Sequence, residues 1–344
     1  MKRLITFVFI TCFLTLSIFS NRFTDAGFHF SIKPLYSYEF GVLDEFVFAK
    51  EDSSDEYKLS ELNWTVKNHS MGLSADFGWK WVSVDTAFSF GFSGKSGNMY
   101  DSDWQDPFNH SIKTNYSINE NKLNKSCSFE IGISGDSPFT PESISNIFSA
   151  SFVQSIKYAY KYYDFSGSNG EGWYGDKDHT PLSYDVPFDS EEAMHYTKGQ
   201  LFSIDYKREH QNCFIGEGIN LRFLNRVELL LNYDIGIYSS IVSIDTHYNN
   251  KENTTGKDFL DKMSDNLLSG RFYSELDYKF WKNLHIGAGY LYTWQNLIKG
   301  TTHFKYHQLS SYSLDSESSS GSSAKTHTIN FFIQYSIDDS HFIY

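Results

Sequence analysis

Cysteine is scarce in this chain of 344 residues. Cys12 falls in the amino-terminal apolar run, which leaves Cys127 and Cys213 and room for at most one disulfide. Nothing in the sequence says that these two are neighbours. Long apolar runs are missing after the first twenty residues: no later stretch reaches the ~18 consecutive apolar residues that a membrane-spanning helix needs. Positive charge is in deficit. A formal net charge of −13 argues against a nucleic-acid partner and is compatible with attraction of basic peptides. Helical periodicity of useful length is absent. So are Gly-x-Ser-x-Gly and His-Glu-x-x-His, the signatures of two large hydrolase classes.

What is present begins with an address. Met1-Lys2-Arg3 precedes an apolar run from Leu4 to Phe19. A basic start followed by such a run predicts a secretory signal peptide over 1–20, with cleavage after Ser20 or as late as Ala26. The alternative is an uncleaved anchor helix, for which the run is short. Cys12 lies inside the run rather than at its end, so a lipoprotein is not expected. Aromatic residues reach 18%, with 31 Phe and 24 Tyr, where a helical bundle would favour Leu and Ala. That excess fits strands, and membrane barrels with aromatic girdles in particular.

Alternation supports the same reading. Val227, Leu229, Leu231, Tyr233, Ile235 and Ile237 share one face, opposed by Glu228, Asn232 and Asp234. Arg271, Glu275, Asp277 and Lys279 oppose Phe272, Leu276, Tyr278 and Phe280. Leu284 through Trp294, and Val82 through Phe92, repeat the pattern. Each segment is about ten residues or longer, enough for a tilted strand to cross a bilayer. A soluble β-sandwich would also alternate, but its strands are usually about five or six residues long.

Connections differ in length. Short turns are expected at Lys80, near Pro138 to Pro141, at Leu224-Asn225 and at Lys282-Asn283. Long polar loops are expected at about 44–57, 98–123, 166–197, 246–268 and 301–325. Short periplasmic turns and long outer loops are the habit of bacterial outer-membrane barrels. The fold class is therefore all-β: a transmembrane antiparallel barrel of ten strands over 27–344, the last near 326–337. The tail 338–344 runs past its expected end.

Two short charged pairs stand out, Asp101-Ser102-Asp103 and Asp245-Thr246-His247. Both follow an alternating segment, and four strands separate them, so both belong at the outer end. Parity turns Asp101 and Asp103 inward, and on the first strand it turns Glu45 inward. Asp245 and His247 fall on the lipid-facing parity of their own strand. A bulge near Ser239-Ser240 would restore them to the lumen, and so would a loss of the facing constraint above the bilayer. A neutral His accepts a proton from water, while a nearby carboxylate fixes its tautomer and stabilises the imidazolium. Activity would then fall as pH drops through the His247 pKa. The carboxylates lack EF-hand spacing, and zinc would need more His or Cys nearby, so no metal is expected.

Gly97-Asn98-Met99-Tyr100-Asp101-Ser102-Asp103-Trp104-Gln105-Asp106 resembles the Gly-Asn-Met-x-Asp-x-Asp-Trp-x-Asp signature of the omptin outer-membrane proteases. Lys58-Leu59-Ser60-Glu61-Leu62-Asn63-Trp64 and Asp245-Thr246-His247-Tyr248 are similar to two further omptin segments, in the same order. The resemblance implies a ten-stranded barrel and an endopeptidase at the outer rim. Its water would lie between Asp101 and His247, with Asp245 orienting His247 and Asp103 supporting Asp101. It implies a subsite for a basic side chain in which Glu45 matches one acid, while Ser243 stands where the other belongs. A broader preference, still tilted toward Lys or Arg, is the expectation. Peptides and outer-membrane lipid are the implied partners. Lipopolysaccharide dependence would rest on Lys157, since Glu209 occupies a position where a basic residue is expected. No other cofactor is expected. The alternative is a non-enzymatic adhesin or surface antigen on the same scaffold. A porin fits less well, because ten strands leave a lumen filled by side chains.

Overall fold

The computed structural model describes residues 27–50, 56–79, 82–106, 108–136, 147–175, 186–224 and 226–338. The proposed leader and its cleavage points, the turns at Lys80 and Pro138–Pro141, and the tail beyond Asp338 lie outside the described residues.

Ten long strands run in chain order: β1 (Phe28–Lys50), β2 (Glu56–Trp79), β3 (in two segments, Val82–Gly91 and Gly94–Asp103), β4 (Asn115–Asp136), β5 (Phe148–Tyr174), β6 (Ile204–Phe223), β7 (Val227–Tyr248), β8 (Gly256–Asp265 and Ser269–Lys279), β9 (Leu284–Tyr306) and β10 (Ser318–Asp338). Each pairs antiparallel with its sequence neighbours. Nineteen residue pairs between β1 and β10, from His29–Asp338 to Ala49–Ser318, close the ring. Closure leaves no unpaired edge, the condition for a sheet to sit in lipid.

The lipid-facing belt follows from register. Met71, Leu73 and Phe77 on β2 stand opposite Phe90, Phe88 and Val84 on β3, and the last two face Phe129 and Ile133 on β4. All are exposed, as are Phe272 and Leu276 on β8 and Phe331 and Ile333 on β10. Apolar side chains so consistently presented to the outside need a hydrocarbon solvent.

Inside, two layers fill the lumen. Leu43, Leu62, Trp64, Val66, Met99, Leu123, Tyr163, Phe165, Ile204, Tyr206 and Ala324 form an apolar plug. A second layer is ionic. Arg271 on β8 donates to Asp234 on β7 and to Glu130 across the lumen on β4. Lys33 reaches Glu275, and Glu39 accepts from Lys161 and from Tyr163 at 2.7 Å. A lumen crossed by such contacts is a packed interior and not a channel.

Two expectations need correction, and one open question is answered. The outer connections are shorter than predicted, because the strands continue well above the belt: β1 runs to Lys50, β5 to Tyr174 and β7 to Tyr248. Alternation fades there because water, unlike lipid, does not demand an apolar outer face. Lys157 points inward, 3.7 Å from Asp234, so it is not available to lipid. Its even-numbered neighbours Phe152 and Ile156 face out instead. Cys127 and Cys213 are both free, and β5 separates them, with Tyr162 beside one and Tyr158 beside the other.

Of the two ways to turn Asp245 and His247 inward, β7 uses a bulge, at Ile237, two residues before Ser239. Cys213 pairs with Tyr238 and Phe214 with Gly236, leaving Ile237 without an opposite residue in β6. Below it, Asn232 and Asp234 are buried; above it, Ser239, Ile241, Ser243 and Asp245 are. One extra residue inverts the faces of the strand.

Candidate active site

The two predicted pairs occupy the outer ends of β3 and β7, on strands and not on loops. Asp101 lies opposite Leu62 of β2 and Ser117 of β4, and Asp103 opposite Ser60 and Asn115. The Lys58–Trp64 segment is thus the immediate neighbour of the first pair. Asn115 Nδ2 donates to Asp103 Oδ2 at 3.2 Å, and Ser60 also bonds this carboxylate. Burial raises the Asp103 pKa, against those hydrogen bonds and the charge of His247. Asp101 is held well above the usual carboxylate range, chiefly by burial and then by Asp103 and Asp245, with His247 opposing. Its Oδ1 is buried and has no partner among the described residues.

The end of the Gly97–Asp106 signature has a structural task. Asp106 is buried, and its Oδ1 accepts the N–H of Phe108 at 2.7 Å and of Asn109 at 3.0 Å. The ammonium of Lys58 lies 3.7 Å from the centre of the Trp104 ring. These contacts fix the loop that leaves β3, and so the height of Asp101 and Asp103 above the plug.

On the facing wall, His247 Nε2 is hydrogen-bonded to Asp245 Oδ2. Asp245 is only 4% exposed, whereas 38% of the His247 side chain is open to solvent. Phe259 of β8 holds the imidazole edge-on at 5.6 Å. Burial alone would lower the His247 pKa. The charge and hydrogen bond of Asp245 overcome it, Asp101 and Asp103 add to the effect, and the group is pushed up to about 9. The pairs from β3 and β7 therefore act on each other electrostatically in both directions, although four strands separate them. These carboxyls favour the imidazolium form of His247 over the neutral imidazole expected from the sequence.

Glu45 points inward from β1 as expected and is 2% exposed. It is held well above the usual carboxylate range by burial, by Asp245 and by Asp261, whose carboxyl it hydrogen-bonds; Arg208 opposes. Asp261 and Arg208 carry no sequence signal. The first lies in a segment expected to be loop, and the second sits between Lys207 and Glu209 with no motif around it. Both are buried. Among the described residues no group of three or more His, Cys, Asp and Glu is arranged to hold a metal ion.

The whole barrel can be compared with known proteins. The crystal structure of outer membrane protease OmpT from Escherichia coli superposes with a TM-score of 0.74 at 16% identity, covering 92% of this chain and all of that one. The translocator domain of autotransporter NalP from Neisseria meningitidis matches at 8% identity over 97% of each chain, with a TM-score of 0.35. The outer membrane protein OprG from Pseudomonas aeruginosa matches at 6% over 91% of this chain and 97% of its own, with a TM-score of 0.36. TM-scores that low carry no argument. No curated protein sequence matches. The Omptin family model, however, matches residues 38–337. That span takes in the rim residues Glu45, Asp101, Asp103, Asp245 and His247 and nearly every strand, and the chain belongs to the omptin family of the bacterial outer membrane.

Proposed function

We propose that this barrel is an endopeptidase whose outer rim activates a water molecule between Asp101 and His247. The observation that carries the reading is the mutual field of the two pairs: Asp101 raises the His247 pKa, and His247 lowers that of Asp101, across the mouth of the barrel. A water there meets a carboxylate basic enough to take a proton and a cation able to stabilise the oxyanion. Asp101 removes the proton as the water attacks the scissile carbonyl. His247, held by Asp245, gives a proton to the leaving amine, and Asp103 supports Asp101. No side chain is acylated, so serine- and cysteine-directed covalent inhibitors should have no effect. A barrel that only adheres to a surface has no use for an imidazolium ringed by buried carboxyls.

Peptides and exposed protein segments are the substrates of this reading. The acidic pocket at Glu45 favours a basic residue near the scissile bond. The test is a peptide-library digest by the refolded barrel, with His247→Ala as control. Cleavage that disappears in the variant supports the proposal; equal cleavage by both proteins overturns it.

A further inference from the structure

Ser243, where the resemblance leads one to expect a second acid, lies between two residues that have no role assigned so far. Across the β7–β8 pairing its partner is Asp261, and across the β6–β7 pairing its partner is Arg208. Asp261 is 2% exposed and hydrogen-bonds the carboxyl of Glu45. Arg208 is wholly buried. Its Nη1 donates to the Ser323 carbonyl at 3.2 Å, while Nε and Nη2 have no partner among the described residues. Glu45 Oε2 and Asp261 Oδ1 are likewise buried without a hydrogen-bond donor. Buried donors and acceptors left open around the Glu45 carboxyl mark a place for a polar group that is not the protein's own.

We propose that Asp261 supplies, from β8, the second carboxyl of the Glu45 pocket, and that Arg208 limits how much positive charge the pocket accepts. The carboxyl has moved one strand sideways and not along its own strand. Neighbouring strands stand about 4.8 Å apart, within the reach of a flexible Lys or Arg side chain entering between them. Glu45 and Asp261 hydrogen-bond each other and so share a proton, which leaves the pair balanced by the one resident guanidinium. A substrate cation that enters displaces that proton to solvent, and the two carboxylates then balance two cations. A pocket of that charge prefers Lys or Arg over a neutral residue, and does so less sharply than two carboxylates alone would.

This inference rests on the endopeptidase reading, and its test separates the two. The folded barrel is assayed on matched peptides that differ only at the residue before the scissile bond: Lys, Arg, Gln and Glu. The quantity read is the ratio of kcat/KM for the basic peptides to that for the Gln peptide. Asp261→Asn, which keeps the shape and removes the charge, should lower the ratio at least tenfold, mainly through KM. The reciprocal exchange Ser243→Asp with Asp261→Ser keeps the number of buried charges, which protects folding, and should restore the ratio. Arg208→Gln should raise it. A ratio unmoved by Asp261→Asn and by the exchange overturns the pocket assignment while His247-dependent cleavage still stands. Absence of any His247-dependent cleavage overturns both readings.

Discussion

Trp64 and Tyr206 stack face to face across the lumen, with ring centroids 5.1 Å apart and planes 9° from parallel. One comes from β2 and the other from β6, so the contact ties the wall that carries Asp101 to the wall that carries His247. Tyr206 is also the register partner of Asp245, and Trp64 that of Met99, two residues before Asp101. The plug is therefore the floor of the site and the spacer that sets its width.

Trp64→Ala should remove the largest side chain of that floor. Truncating a buried aromatic of this size costs about 3–5 kcal/mol. Denaturant unfolding of the refolded barrel would measure it. Because the walls lose their spacer, turnover should fall even in molecules that remain folded. Unchanged turnover per folded barrel would mean that the plug is packing and nothing more.

His247→Ala and Asp101→Ala should each lower turnover by about 10²–10⁴, the usual share of a positioned acid or base. Both side chains lie above the lipid-facing belt, so the heat-dependent shift in gel mobility that marks a closed barrel should persist. A double variant that cleaves at the native rate would show that the rim charges are ordinary surface groups.

The pH profile should be a bell. On the acid side, activity rises as Asp101 loses its proton, at a pH above the normal carboxylate range because burial and Asp103 raise its pKa. On the alkaline side, activity falls as His247 loses its proton near pH 9. Asp245→Asn removes the largest attraction for the imidazolium, so the alkaline limb should move down by roughly one to three pH units. A profile that keeps rising well past pH 9 would return the base role to a neutral His247.

The ionic layer gives a control that separates stability from chemistry. Arg271 satisfies both Asp234 and Glu130, and its side chain is 6% exposed. Arg271→Ala takes from Glu130 its bidentate partner and leaves Asp234 to Lys157 and Asn232, and should cost about 3–5 kcal/mol. Activity per folded molecule should change little, because the apolar plug lies between this layer and the rim. Unfolding midpoints measured beside turnover would test both halves of the claim.

The sequence showed most of the barrel because lipid is an exacting solvent. Wherever a strand crosses it, one face must be apolar, and Val227–Ile237 or Leu284–Trp294 can be read directly. Above the belt both faces meet water, so the outer ends of β1, β5 and β7 looked like loop. The rim pairs were legible because Asp-x-Asp and Asp-x-His occupy alternate positions on strands. Asp261 and Arg208 were not, because only the pairing of three strands brings them to Ser243. Part of the pull toward the imidazolium form of His247 was equally hidden, since Asp101 and Asp103 add to it from the opposite wall.

The unmatched Ile237 also bears on which changes in length such a site tolerates. Below it, β7 is anchored by the belt; above it, register decides which way each side chain points. Loss of the single codon for Ile237 would bring Tyr238 next to Gly236 while each kept its own partner, Cys213 and Phe214. The strand would then alternate without a break, and Asp245 and His247 would still face the lumen. A gene could thus drop this one codon in frame and keep both an exportable barrel and its rim.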